Sequence, residues 1–379
     1  MPAHLTRRTM LTMALATSGL ILGARSAVAS PLTAVNRGRF VDVTGWPANA
    51  RALDLTVGPS GTWAIGQQHD RSGLHSSAVL RRRVGASWVP VALPASFKAW
   101  GSAAYADATG VWVAGTRGEV TLPVSDGSTV VGHVSTSGTW KDLGAVGLPS
   151  FLTVASLKVE GALLLLTGMR PTPDGSSLRP FAATKPLGAS PSVHWASLAV
   201  DAPVWDSGTA APLLRLAEGA PSWATAGTWL LRRQAPGWKV VDGPPGTFAQ
   251  TKSACALAEG QIHVVTQGVA GPTLWRRTTS SRAWRRIALP TNFGAQAMAG
   301  DARQLWVVGQ TQGGEDFAAT ALRVVGGSVV DTVGGPLSAG GPVGILEHVA
   351  VAADGPLAAG YRATAPGGKA IGWTCRLLV

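Results

Sequence analysis

Two tryptophans, Trp100 and Trp205, stand among short charged side chains: Lys98 just before the first, Asp201 and Asp206 around the second. A flat indole beside a carboxylate or an ammonium suits a sugar ring, which offers a face for stacking and hydroxyls for hydrogen bonding. These five residues, together with Arg362, are the expected ligand-binding set. The competing reading is that both indoles fill gaps between packed sheets. The rest of the 15 tryptophans fall in or beside short apolar runs, where packing is the expected role.

Other chemistry has thinner support. Of the 2 tyrosines, only Tyr361, adjoining Arg362, sits in a candidate site; Tyr105 precedes the turn Asp107–Gly110. The 7 histidines show no His-x-His or Cys-x-x-Cys spacing, so no metal site is expected, and His69, Asp70 and His75 read as one solvated loop. Glu347 and His348 adjoin on an expected inner strand, where alternation would send one of them toward a central channel. Cys255 and Cys375 lie on strands of different repeats and are expected as free, buried thiols. No catalytic residue is assigned and no cofactor is expected.

The elements that must hold these residues announce themselves as a repeat. Leu305-Trp306-Val307-Val308-Gly309 recurs as Thr62-Trp63-Ala64-Ile65-Gly66 and Val111-Trp112-Val113-Ala114-Gly115. Looser copies end at Gly168, Gly227, Gly268 and Gly360. A unit returning roughly every 40 to 60 residues marks a propeller or a solenoid. Each copy follows a Gly or Asp turn and is trailed by a basic strand such as Leu80-Arg81-Arg82. A tight turn and a strand opening near tryptophan complete the unit, as in Trp88-Val89-Pro90-Val91. Four hairpin-linked strands per unit make a blade.

The predicted fold is therefore all-β, a seven-bladed β-propeller of four-stranded antiparallel blades. The blades are expected at 50–94, 99–144, 151–200, 206–246, 248–290, 293–336 and 343–379. The last offers only three strands, and residues 39–47 form an outer strand without a blade. Pairing the two would leave no open sheet edge there.

This pattern resembles the secreted bacterial propellers that include sialidase-like and kelch or galactose-oxidase-like proteins. Ser135-Thr136-Ser137-Gly138-Thr139-Trp140 is similar to the Asp-box hairpin of sialidase-like propellers, with its spacing compressed and its aspartate absent. A sialidase-like activity would imply a tyrosine–glutamate pair, an acidic proton donor and three arginines. Tyr361, Asp70, Glu119 and Arg51, Arg71, Arg117, Arg170 and Arg362 are the available groups. A copper site of the galactose-oxidase kind would imply two tyrosines, one of them linked to cysteine, and the strand positions of both cysteines oppose it.

Residues 1–29 read as a cleavable leader. Arg7-Arg8 precede a mild apolar stretch, and Ala27-Val28-Ala29 offers a small-x-small cleavage site. The arginine pair resembles a twin-arginine signal, which predicts export, a single mature propeller over 30–379 and no membrane span after cleavage. The formal net charge of +12 favours encounters with anionic polymers. Arginine runs at 81–83, 232–233, 276–277 and 285–286 are read first as charged edges that prevent strand-on-strand association. Nucleic acid is not an expected partner. Two functions remain: a secreted, non-catalytic module that binds a glycan, a cell-wall polymer or a protein partner, or a sialidase-like glycoside hydrolase.

Overall fold

A computed structural model describes residues 36–69, 76–95, 97, 100–116, 127–202, 213–241, 243–245, 250–257, 261–268, 271–278, 281, 283–301, 303–313, 316–334, 343–363 and 370–379. Of Trp100 and of residues 250–257, the backbone alone is described. The leader and the sites at Lys98, Trp205, Asp206, Asp70, Arg71, Arg117 and Glu119 lie outside the described residues.

The described chain is all strand and turn. β1 is Asn36–Asp42. A first set of four follows in β2 (Ala50–Gly58), β3 (Gly61–His69), β4 (Ser76–Val84) and β5 (Ser87–Val91). The second comprises β6 (Trp100–Ala106), β7 (Gly110–Thr116), β8 (Thr129–Ser135) and β9 (Trp140–Asp142). The third comprises β10 (Thr153–Glu160), β11 (Leu163–Pro171), β12 (Leu178–Pro186) and β13 (Ala196–Leu198). A short strand, β14 (Val200–Asp201), precedes the fourth set: β15 (Arg215–Ala217), β16 (Ala220–Ala226), β17 (Trp229–Gln234) and β18 (Gly237–Val241). The fifth holds β19 (Gln250–Leu257), β20 (Gln261–Gly268), β21 (Gly271–Thr278) and β22 (Arg285–Ala288). The sixth holds β23 (Phe293–Gly300), β24 (Leu305–Gly313), β25 (Asp316–Val325) and β26 (Ser328–Gly334). Last come β27 (Gly344–Ala352), β28 (Gly355–Ala363) and β29 (Ala370–Leu378).

Within every set the strands pair antiparallel in chain order. The first strands also touch one another in sequence: β2 with β6, β6 with β10, β10 with β15, β15 with β19, β19 with β23, β23 with β27, and β27 with β2. β1 pairs antiparallel with β29 over Arg39–Asp42 and makes two parallel pairs with β26, at Asn36 and Gly38. The partner strand is thus shorter than the sequence pattern predicts. It stops at Asp42, and Trp46, in the link to β2, bonds its indole N–H to the Ala50 carbonyl (3.0 Å) and packs edge-on against Trp88.

One backbone irregularity recurs. β2, β6, β10, β19, β23 and β27 each carry a β-bulge near their beginning, at Leu53, Ser102, Ala155, Lys252, Gln296 and Glu347. The extra residue bends the strand and reverses its alternation on one side. It also explains the repeat glycine. A Cβ at Gly66, Gly168, Gly309 or Gly360 would collide with the carbonyl oxygen of Arg51, Thr153, Gly294 or Ile345, which the bulge turns toward the second strand. The fourth and fifth copies differ from the sequence reading. Ala226 stands three residues after Trp223, as Gly66 does after Trp63, and Gly227 belongs to the next turn. In the fifth set Thr266 faces the residue before the bulge, and Gly268 closes a hairpin with Gly271.

A second regularity explains part of three of the four arginine runs. Directly across from Trp63, Trp112, Trp223, His263, Trp306 and Leu357 stand Arg82, His133, Arg232, Arg276, Arg323 and Arg376. Arg82 and Arg232 lie over the facing indoles at 5.3 and 5.5 Å, a cation–π arrangement. Arg82 and Arg376 also donate to the carbonyls of Ser60 and Asp354, and His133 bonds Thr109 at 3.1 Å. These basic groups tie the third strand to the turn joining the first two.

The core lies between the sets. Trp63, Trp88, Trp112, Trp195, Trp223, Trp238, Trp306 and Trp373 are buried among Val, Leu and Ala from neighbouring sets. Packing is the role expected of them. Cys375 is a free, buried thiol in β29, while Cys255 sits on β19 in another sheet.

Candidate functional site

The first strands enclose a channel whose polar side chains were hard to see in the sequence. Asp54 (β2), Tyr105 (β6), Ser156 and Lys158 (β10), Arg215 (β15), Glu218 and His348 (β27) line one cavity of about 150 Å³. Each interrupts a run of small or apolar residues, as in Leu53-Asp54-Leu55, Leu157-Lys158-Val159 and Leu214-Arg215-Leu216. That local signal exists in the sequence, but nothing local says that five strands and a turn bring these residues together. Only His348 was placed toward the channel beforehand, as one of a pair.

Burial governs the electrostatics here. Asp54 accepts the Ala104 N–H at 2.8 Å, yet the surrounding protein pushes its carboxyl up to about 7 against the pull of that bond and of Arg215. Glu218 is exposed on the channel side but walled by protein elsewhere, which raises its carboxyl, with Lys158 opposing. Burial, then Arg215 and Arg51, hold His348 down near 3, so its ring is neutral. The Lys158 ammonium lies 4.5 Å from the centre of the Tyr105 ring.

At the end where β2 and β27 begin, a second cluster forms across two sets. Arg51 donates twice to Glu347, Nε to Oε2 at 2.9 Å and Nη2 to Oε1 at 2.6 Å. The Tyr361 hydroxyl donates to Glu347 Oε1 at 3.1 Å. Glu347 is the bulge residue of β27, and the bulge sets its side chain toward Arg51 while His348 lines the channel. Burial works against the Arg51 charge, and Glu347 more than offsets it, holding the guanidinium above its ordinary value. Burial first, then the Glu347 carboxylate, push the Tyr361 phenol up to about 12. The Arg51 side chain remains 33% exposed and Glu347 only 11%.

The expected binding residues are scattered. Arg362 donates to both oxygens of Asp42, at 3.1 and 2.9 Å, and lies over the Trp373 ring, so it faces the outer half of its own sheet. Trp373 Nε1 also donates to Asp42, at 2.8 Å. Asp201 is exposed and pairs on β14 with Lys239 of β18, as a fifth strand on the rim, where a loop was expected. Trp100, also expected in a loop, is the first residue of β6 opposite Thr116. Its place before the bulge at Ser102 reverses its alternation relative to Ala103–Ala106, which is why it looked out of register. Thus no shelf joining Trp100 to Trp205 can be drawn from the described residues.

The hairpin at 135–140 is a turn stabilised by hydroxyls: Ser135 Oγ accepts the Thr139 N–H at 3.0 Å and contacts Ser137 Oγ at 2.7 Å. Serine chemistry thus replaces the aspartate of the related motif. Among the described residues no three His, Cys, Asp or Glu side chains are grouped to hold a metal ion.

Comparison with solved structures agrees with this geometry. A structure described as YCF48 bound to D1 peptide superposes with a TM-score of 0.56 at 13% identity, covering 91% of this chain and 96% of that one. The fold is a β-propeller. YCF48 from Cyanidioschyzon merolae matches at 13% identity over 71% of this chain and 95% of that chain, with a TM-score of 0.41. A puromycin hydrolase mutant complexed with PGG matches at 16% identity over 83% of this chain and 58% of that chain, with a TM-score of 0.43. In all, 407 solved chains match, so the likeness establishes architecture and leaves the chemistry to the site. No protein-family profile and no curated protein matches the sequence.

Proposed function

We propose that this chain is a secreted, non-catalytic propeller of seven blades that binds an extended peptide of a protein partner across the mouth of its channel. Seven blades are supported by the seven first strands that touch in sequence and by the pairing of β1 with β29, which supplies the fourth strand of the last set. Export rests on the leader pattern at 1–29 and its Arg7-Arg8 pair.

The observation that carries the binding reading is the Arg51–Glu347–Tyr361 network. A catalytic tyrosine needs a base free to take its proton, and Glu347 already accepts two bonds from Arg51. With its phenol pushed up to about 12, Tyr361 serves as a strut. The partly exposed Arg51 guanidinium keeps polar edges at the rim for carbonyl groups. The whole-length likeness to a propeller solved with a peptide supports the choice of ligand class.

A glycan or anionic wall polymer held by Trp100, Trp205, Lys98, Asp201, Asp206 and Arg362 is the competing reading, and one experiment separates them. Mature protein is screened against an array of extended peptides and an array of glycans, beside Arg51→Ala and Trp100→Ala. Peptide capture weakened by Arg51→Ala is the expected result. Glycan capture alone would overturn the peptide assignment. Cleavage of a fluorogenic sialoside that Tyr361→Phe abolishes would overturn the non-catalytic one.

A further inference from the structure

The channel carries a site separate from whatever the mouth binds. Arg215 projects into a cavity enclosed by strands of six sets. Among the described residues it makes neither a hydrogen bond nor an ion pair, although a guanidinium offers five N–H donors. Its possible protein partners are engaged elsewhere. Asp54 accepts the N–H groups of Ala104 and Leu55, and Glu218 is matched electrostatically by Lys158. Ser156 Oγ accepts the Leu216 N–H at 3.1 Å, which leaves its own hydroxyl proton free to be donated. His348 adds a neutral imidazole on the same wall.

The geometry points to a small oxyanion, phosphate or a compact carboxylate, bound in the channel by Arg215, with Ser156 and Lys158 donating from β10. The cavity of about 150 Å³ is ample for one such ion with water, since a single water needs about 10–15 Å³ of comparable space. A guanidinium with planar donors matches two oxygens at once, which an ammonium alone does not. A cation is the poorer fit: the two carboxyls on the wall are both raised, so they resist the ionised state a cation requires.

The site is also sensitive to acid. The groups facing Arg215 are Asp54 from β2, Lys158 from β10, Glu218 beside β15 and His348 from β27, with Arg51 farther out. As pH falls below about 7, Asp54 loses its charge, which removes one of the two carboxylates that compete for Arg215. Binding of a carboxylate, which keeps its single charge over this range, should therefore strengthen between pH 8 and pH 6, and phosphate, which itself takes up a proton there, should gain less.

The test is a titration of mature protein with inorganic phosphate, then with acetate, followed by thermal melting at fixed ionic strength in chloride. Millimolar phosphate should raise the melting temperature at pH 6 and do so less at pH 8. Arg215→Gln should abolish the rise, and Lys158→Gln should weaken the apparent affinity several-fold. Arg285→Gln, on exposed β22, should behave as wild type and so controls for general attraction to a basic protein. If Arg215→Gln does not fold, Ser156→Ala replaces it and should also lower the affinity. A phosphate response equal in wild type, Lys158→Gln and Ser156→Ala would overturn the site, as would an absence of any response at pH 6. Response to acetate without phosphate would assign the carboxylate arm.

Discussion

Replacing Asp54 with asparagine tests whether the channel wall is as poorly solvated as its strands imply. The folded carboxyl titrates near 7, against 3.8 for the ordinary group. Between these values the folded state binds a proton that the unfolded chain does not, so stability is greatest below the lower value and is lost as pH rises toward 7. Each unit of difference corresponds to about 1.4 kcal/mol, and integration from pH 5 to pH 8 gives a loss of about 2.5 kcal/mol. Asp54 is only half-buried, so solvent screening reduces this to about 1–2 kcal/mol. Asparagine keeps an oxygen to accept the Ala104 N–H and has nothing to ionise. Urea unfolding of both proteins from pH 5 to pH 8 should show Asp54→Asn gaining on wild type by that amount. The comparison matters because His348, held near 3, gives the opposite slope below pH 6.5 and would flatten either profile alone. A difference between the two proteins that stays constant with pH would refute the reasoning and mean that Arg215 keeps Asp54 ionised.

Three further outcomes are expected. Gly360→Ala should destabilise by about 1–3 kcal/mol or more by calorimetry, since its Cβ would meet the Ile345 carbonyl, whereas Gly188→Ala, with open space around it, should be neutral. Deleting residues 30–42 should lower the melting temperature sharply and promote aggregation by exposing the edge of β29; an unchanged melt would remove β1 from any structural role. Thiol titration should find Cys375 unreactive in the native protein and two thiols after denaturation without reductant, because burial both hides Cys375 and raises its thiol.

The strands were legible because their signals are local: an apolar run, a turn residue, a tryptophan or arginine at fixed offset. The edge role read for the arginine runs fits only Arg285 and Arg286 on outer strand β22; the other three runs lie on strands paired on both sides, and the facing indoles at Trp63 and Trp223 came only with the register. The bulges were not legible. An extra residue such as Ser102 or Glu347 has no characteristic type, yet it reverses alternation, and it made Trp100 look like a loop residue. The Glu347 contact with Arg51 joins residues at opposite ends of the chain, and no spacing rule reaches so far. The channel groups failed to appear for the same reason, one coming from each of several strands.

The pairing of β1 with β29 also has a consequence for how the molecule is made. The first described strand finds its antiparallel partner in the last described one, at Cys375 to Leu378. Until those emerge, Arg39–Asp42 must wait unpaired while the intervening sheets form around them, a contact of the greatest sequence separation and hence a late step. Whatever shields Arg39–Asp42 during that interval holds the clasp, and letting go completes the molecule.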